Sequence, residues 1–540
     1  MKKRTLIGSM VVMLFITMFI SACEQQPVEE VEAPKEVVIE DYNPEDSLPL
    51  RLAITRPTKL NPLFNANDTL YQVYHLIYES LVDFDENMNL QPLLAENWEL
   101  DESGSRVTFN LRQNVTWHDG ELFTPEDVVF SFQVLRNHLN TVEYPNLYAT
   151  NLQQVSDVRK TGDNSVTFTF TRPYSNALET LVFPILPQHL FSGPNASLLS
   201  SDDFPIVGTG RYQLENYDAS REMTLRYYSS YWGRKPYIDE IDIRIVPDRE
   251  AQISMFENGE IDLVEPTAVD WLKYTDNEQV KGISFPSSHY EFIGFNFRNE
   301  PWQQKELRQA IDMAIPKQEI INTIYFGHGT AANVPVHPAS WLYQQPEETE
   351  EEPGLEEARD LIQGLQLPED ATFQLLTNEE NPLRVKTAEN IVTTLEEIGL
   401  MVTVEPLKWD EMQERLAAGN FDMVLTGWHF SLIPDLSFAF HSTQETMGNF
   451  IGYANEEMDE LLESAFFAPT RQNKEVAWHR LQDHLQQELP YASLFFKDKA
   501  VLYRTTLRGE LAPTQYNVFN GIETAYLIKP REAVANQEGQ

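Results

Sequence analysis

Apolar and polar residues alternate in two short stretches, Val107-Thr108-Phe109-Asn110-Leu111-Arg112 and Val166-Thr167-Phe168-Thr169-Phe170-Thr171. A period of two is that of a strand with one buried face. Turn-forming residues precede each stretch, Asp101-Glu102-Ser103-Gly104 and Thr161-Gly162-Asp163-Asn164. Between them, Pro125-Glu126-Asp127 opens a helix running through Val134, with proline in the first turn, where its missing N–H costs nothing. This pattern predicts an antiparallel sheet with a covering helix. Farther along, the periodicity changes. Residues 372–377 read as a strand, and Val385, Ala388, Val392, Leu395 and Ile398 share one face of a helix over 384–398, with Gly399 placed to end it. A second strand follows at 400–404. Asp410 then caps a helix to Ala418, closed by Gly419, and 421–427 is a third strand. Strand–helix–strand–helix–strand at these lengths predicts an α/β lobe with a largely parallel sheet. Ligands bind beyond the carboxyl ends of such strands, which directs attention to Trp428 and the irregular stretch 429–435.

The longest apolar run lies at the beginning. Lys2, Lys3 and Arg4 precede residues 6–20, which carry no charge. The run is short for a membrane span, which needs about 20 apolar residues, and has the proportions of a secretory signal. Ile20-Ser21-Ala22-Cys23 then looks like a lipobox, with cleavage before a diacylated Cys23 and residues 1–22 removed. Cys23 is the only cysteine, so internal disulfides are excluded and the folded body must be held by its core. Residues 23–46 contain nine acids and one base, Lys35, too polar and too uniformly charged to fold, and read as a flexible tether.

Composition narrows the function classes. Hydrophobic content of 42% and aromatic content of 11% describe a well-cored globular protein. A net charge of −43 argues against nucleic acid, whose phosphates demand clustered Lys and Arg. The acids are dispersed apart from Glu347-Glu348-Thr349-Glu350-Glu351-Glu352, which reads as a solvated loop because it lacks the alternating acids and fixed glycine of a calcium loop.

Several short motifs stand in a recognisable order: Leu60-Asn61-Pro62-Leu63; Leu94-Ala95-Glu96-Asn97-Trp98; Trp117-His118-Asp119-Gly120; Thr124-Pro125-Glu126-Asp127-Val128; Ile185-Leu186-Pro187-Gln188-His189; Val207-Gly208-Thr209-Gly210-Arg211-Tyr212; Gly294-Phe295-Asn296; Leu307-Arg308-Gln309-Ala310-Ile311; and Gly427-Trp428. From about Leu60 to Phe496 the chain thereby resembles the extracellular solute-binding proteins of family 5, the oligopeptide- and dipeptide-binding lipoproteins of ABC importers. The resemblance implies an α/β, two-lobed periplasmic-binding-protein-like fold of type II that closes on a hinge, with an extra inserted α+β subdomain. It divides the chain into a discontinuous lobe I (47–79, 200–285 and 496–535), an insert (80–199) and a lobe II (286–495). It also implies capture of a small solute, in the first instance a peptide, by a monomer that needs no cofactor or metal and delivers its ligand to the permease subunits from outside the membrane.

The ligand contacts it implies are Asn67, Asp68 and Thr69, together with Asn296, Trp428, Ser431 and Asp435. Asn67-Asp68-Thr69 is equally an ordinary helix N-cap, and Trp428 equally a core residue; both readings stand open. In peptide-binding members an aspartate commonly follows the Gly-Trp pair by three residues and neutralises the ligand's ammonium. Here Ser431 holds that place, and Asp435 is the nearest acid downstream. His118-Asp119 reads as a turn, and His429 and His441 lack the further ligands a metal site requires. No His-Glu-x-x-His, Gly-x-Ser-x-Gly or phosphate-cradling glycine loop supports an enzyme. The alternatives within the same fold are a peptide-sensing or chaperone-like lipoprotein without transport, and uptake of a non-peptide solute such as a metal complex or sugar.

Overall fold

A computed structural model describes residues 47–528, apart from 86–87, 138–147, 149–151, 267–269, 275, 346–353, 366, 369–370, 432 and 445–447. The signal peptide, the lipobox cysteine and the tether expected over 1–46 lie outside the described residues, as does the acidic run at 347–352. Among the described residues no helix is long and apolar enough to cross a membrane.

Three sheets carry the architecture. In the first, Leu50–Thr55 pairs in parallel with Glu240–Val246, and Glu222–Tyr227 and Tyr212–Asp218 follow antiparallel. The second is the predicted antiparallel sheet. Arg106–Leu111 and Ser165–Phe170 lie side by side, flanked by Ala95–Leu100 and Val155–Gly162. Their alternation is spent as expected, since Val107, Phe109, Val166 and Phe168 are buried. The helix Pro125–Asn137 covers that face, with Phe132 edge-on to Phe168 at 5.8 Å. Buried Asp127 accepts hydrogen bonds from the backbone N–H of Thr124 (2.8 Å) and of Gln188 (2.8 Å), which explains the Thr-Pro-Glu-Asp motif as a first-turn cap tied to a distant loop.

The third sheet is mixed. Its order runs Leu263–Val264, Tyr491–Arg504, Val280–Phe295, Met423–His429, Thr372–Asn378, Met401–Leu407, and Gly329–Ala331 pairs with Tyr491–Arg504. The predicted α/β unit is present, because Thr372–Asn378 is parallel to both of its neighbours. The expectation of a largely parallel sheet needs correction. Val280–Phe295 and Tyr491–Arg504, the two longest strands, run antiparallel to each other, and Val280–Phe295 is also antiparallel to Met423–His429.

Two details of the helices also differ. The buried positions of Pro382–Glu397 are Arg384, Thr387, Ala388, Ile391 and Leu395, so Val385 and Val392 sit at the flank of the apolar face and not in it. The Arg384 guanidinium, buried against an acid, occupies one of the inward positions. The later helix is Trp409–Ala417 with Lys408 at its N-cap, and Asp410 lies inside its first turn, where a carboxylate still complements the helix dipole. Gly399 (φ +89°) and Gly419 (φ +66°) close the two helices with left-handed backbone, as predicted.

The apolar cores are separate. One gathers residues from the first two sheets and from 501–527; two others lie on the opposite faces of the mixed sheet. Within Val280–Phe295, Tyr290 and Phe292 enter one of these and Ile293 and Phe295 the other, and a register shift between Glu291 and Phe292 accompanies the change of face. At the centre of this sheet Glu291 is buried between Arg384 and Lys497. Gly427 faces the same ion pair. A Cβ there would meet Tyr290 O at 2.6 Å, an Arg384 guanidinium nitrogen at 2.9 Å and Glu291 Oε1 at 3.0 Å. The glycine of the Gly-Trp motif is therefore required for space.

Candidate ligand-binding cleft

A cavity of about 380 Å³ lies beside the two long strands of the mixed sheet, within the range of small-molecule sites. The two long strands supply one wall through Phe285, Pro286, Ser287, Ser288 and Phe496. The loop Pro513, Thr514, Gln515 and Tyr516 adds a second wall, with Phe84 from the end of the short strand Val82–Phe84, Met88 and Glu179. The other side is formed by His337, Trp341, Leu342, Phe430, Ser431, Pro434, Asp435, Leu436 and Trp478. Most of this lining is apolar or aromatic. Tyr290, Phe430 and Phe496 form a ring cluster with centroids 5.0–6.2 Å apart.

The two sides are held together across the cleft. Ser288 N donates to Gln515 Oε1 at 2.7 Å, Asn176 Nδ2 to Pro434 O at 3.2 Å, and Ser175 N to Phe466 O at 3.1 Å. Lys474 Nζ pairs with Glu179 at 2.6 Å, and Lys474 is only 2% exposed. These bonds tie the two walls of the cavity to each other.

Charge in the cavity wall is sparse. Glu179 is neutralised by Lys474, whereas no Lys or Arg pairs with Asp435 among the described residues; its Oδ1 accepts from Ser437 N at 2.8 Å. Burial, aided by the carboxylates of Glu179 and Asp435, pushes the nearby Tyr174 phenol up. His337 accepts from Ala339 N through Nδ1 at 2.9 Å, which assigns the proton to Nε2, and burial lowers this imidazole to about 4, so it is neutral at physiological pH. His337 Nε2 and Trp478 Nε1 are buried beside the cleft without a hydrogen-bond partner among the described residues. Each such group costs about 1–3 kcal/mol, a cost that a ligand carbonyl reaching it would remove.

Of the residues singled out from the sequence, Ser431 and Asp435 line this cavity. The Ser431 hydroxyl donates to Ile433 O (3.0 Å) and accepts from Ile433 N (3.3 Å), so it is engaged in its own turn. Asn67 is the N-cap of helix Asp68–Ile77. Its Oδ1 accepts from Leu70 N (2.8 Å) and Thr69 Oγ1 (2.8 Å), and its Nδ2 donates to Thr55 Oγ1 (2.8 Å). Thr69 Oγ1 accepts from Thr55 N, and exposed Asp68 faces Arg249 at 3.3 Å. Asn296 is buried and donates to the carbonyls of Gly419 (2.9 Å) and Phe421 (2.7 Å). Trp428 packs among Phe292, Phe438 and Phe450 in the second-lobe core. None of these five lines the cavity.

The histidines also resolve. His118 accepts from Gly208 N and bonds Gly210 O, tying its turn to the neighbouring glycine motif. His429 stacks on His289 at 4.3 Å, and His441 faces Asp459 at 3.6 Å. No group of three or more metal-ligating side chains occurs among the described residues. Among the cavity residues that sequence reasoning did not reach are His337, Trp341, Trp478 and Tyr516.

Comparison with known proteins gives this geometry a family. The sequence is 25% identical to the oligopeptide-binding protein AppA of Bacillus subtilis (strain 168) over 98% of this chain and all of that one. It is 27% identical to the dipeptide-binding protein of Escherichia coli (strain K12), over 69% of this chain and 74% of that one. Among solved structures, HbpA2 from Haemophilus parasuis superposes with a TM-score of 0.78 at 24% identity, covering 89% of this chain and 100% of that one. AppA from Bacillus subtilis in complex with a nonapeptide gives 0.63 at 25% identity, covering 89% and 99%. The two-lobed α/β architecture is therefore that of the type II periplasmic binding proteins. Residues 89–449 match the model of the bacterial extracellular solute-binding proteins, family 5 Middle, and the chain belongs to that family.

Proposed function

We propose that this protein captures a peptide between its two lobes and presents it to the permease subunits of an ABC importer. The single observation that carries the peptide reading is the mostly apolar cavity with one carboxylate, Asp435, left without a cation among the described residues. Apolar walls suit the side chains of a peptide, buried donors such as His337 Nε2 suit its carbonyls, and Asp435 suits its ammonium. The names of the related oligopeptide- and dipeptide-binding proteins support the same ligand class.

A ligand touching both lobes binds the closed form better and shifts the open–closed equilibrium by that difference, which gives the permease a surface to recognise. In this reading lobe I comprises 47–79, 200–285 and 496–535, the insert 80–199 and lobe II 286–495, and the protein works as a monomer without catalytic activity.

Native mass spectrometry of the purified protein tests the ligand class. A bound population with masses of short peptides is expected; a stoichiometric haem, metal chelate or sugar in their place overturns the reading.

The anchoring follows from Ile20-Ser21-Ala22-Cys23. The protein is held outside the membrane by diacylated Cys23, with 1–22 removed and 23–46 as tether. Cys23→Ala is expected to leave the precursor uncut or to release soluble protein. A processed Cys23→Ala form that still sediments with membranes would rule lipidation out.

A further inference from the structure

Two strands carry the chain between the two halves of the protein. Phe285 of Val280–Phe295 and Val501 of Tyr491–Arg504 belong to the core of the first two sheets, whereas Phe292, Phe295, Phe495 and Phe496 of the same strands belong to the cores of the mixed sheet. A change in the angle between the halves is taken up along those strands.

A further connection is made by side chains from elsewhere in the chain. Helix Glu456–Phe466 buries Met458, Leu462 and Ala465 in a core of the mixed sheet, yet its last residue, Phe466, packs against the core of the first two sheets. Its ring lies 5.0 Å from that of Tyr174, and its carbonyl accepts from Ser175 N at 3.1 Å. Three residues on, Pro469 seats against Gly104, in the turn between Ala95–Leu100 and Arg106–Leu111. A Cβ at Gly104 would meet Pro469 O at 2.6 Å and Pro469 Cα at 2.8 Å.

An ion pair completes the contact. Lys474, early in helix Arg471–Glu488, reaches Glu179 at 2.6 Å, with side chains only 2% and 14% exposed. Leu481 on the helix of Lys474 lies in a core of the mixed sheet and Leu181, two residues past Glu179, in the other core, so the pair bridges the two halves. An ion pair buried this far returns little net stability, because taking both charges out of water costs nearly what their attraction gives back. What it does well is fix one arrangement, since either charge left without the other is expensive.

We infer that this contact is a latch, which holds the two halves together in the absence of ligand at the edge of the cavity that Glu179 helps to wall. It extends the two-lobe capture proposed above and rests on it. The latch parts for a solute to enter. It also raises affinity without touching the solute, because apparent affinity scales with the populated fraction of the arrangement that binds.

Small-angle scattering of the mature protein, stripped of co-purified solute, tests this. Lys474→Glu sets two carboxylates against each other in a buried place and drives the latch apart. The radius of gyration, roughly 23 Å for a compact chain of this length, should rise by about 1 Å with circular dichroism unchanged. It should fall back in the double variant Glu179→Lys, Lys474→Glu, which restores opposite charges. Gly104→Ala probes the uncharged half of the latch, touching neither the ion pair nor the cavity, and a smaller rise is expected. An unchanged radius in both Lys474→Glu and Gly104→Ala overturns the latch, as does a rise that the double variant fails to reverse. Should Lys474→Glu lose its circular dichroism, Gly104→Ala alone decides. The scattering is read without ligand, so a failed latch leaves the ligand class untouched, and a haem or sugar found by native mass spectrometry leaves the latch standing.

Discussion

Arg384→Met is expected to lower the stability of the protein by about 3 kcal/mol, near the low end of the roughly 3–5 kcal/mol seen when one partner of a buried ion pair is removed. Glu291, 2% exposed, receives Arg384 through two parallel bonds, Nε to Oε2 and Nη2 to Oε1, both at 2.8 Å. Lys497 Nζ is also 2.8 Å from Oε1 and remains in the variant, which is why the loss falls at the low end. Arg384 donates in addition to Asn378 Oδ1 at 2.7 Å, so the pair joins the helix to strands on both sides of the mixed sheet.

Desolvation opposes ionisation of Glu291, but the charges of Lys497 and Arg384 outweigh it and hold this carboxyl below its ordinary range. A depressed carboxyl contributes stability that is complete above its unfolded value, about 4.3, and fades as the pH falls through the folded one. Urea unfolding should therefore separate wild type from variant fully at pH 7 and less at pH 3. A difference under about 1 kcal/mol at pH 7, or one that grows on acidification, would contradict this account.

Asp435→Asn should weaken binding of a free-amine peptide by an order of magnitude or more while leaving the N-acetylated peptide nearly unaffected. The substitution keeps an oxygen to accept from Ser437 N, so the local turn survives and only the charge is lost. An ammonium enclosed with no carboxylate is expensive; each 1.4 kcal/mol is about tenfold in affinity. The Ser431 hydroxyl is a poor substitute, since it is neutral and already holds Ile433 in its own turn. Calorimetry that shows acetylation abolishing binding, with Asp435→Asn indistinguishable from wild type, would assign the ammonium to another acid.

Periodicity made the α/β unit legible, because strands at 372–378 and 401–407 and the helix between them owe their existence to local pattern and to Gly399. The same reasoning placed Val385 and Val392 in the apolar face, and was defeated by Arg384. No local rule anticipates a guanidinium turned inward, since its acid lies 93 residues away on another strand. The cleft was legible only in part. Stretch 429–435 was located from the end of a strand, and two of its acidic and hydroxyl residues do line the cavity. Asn296 and Trp428 belong to motifs as ordered as any in the chain, yet their hydrogen bonds or rings, like those of Asn67, are spent away from the cavity. His337, Trp341, Trp478 and Tyr516 come from loops and a helix far apart in sequence, and only tertiary folding brings them together.

The hydrogen at Gly427 has a consequence for descent. Its space is set by a guanidinium and a carboxylate drawn from positions 384 and 291, so these three sites, with Lys497, cannot drift one at a time. Shortening the residue at 384 does not by itself admit alanine at 427, because the Tyr290 carbonyl oxygen would still lie 2.6 Å from the new Cβ, and a lineage that loses the acid at 291 strands two cations. Among homologues the four positions should therefore change as a linked set, with the glycine the last to be released.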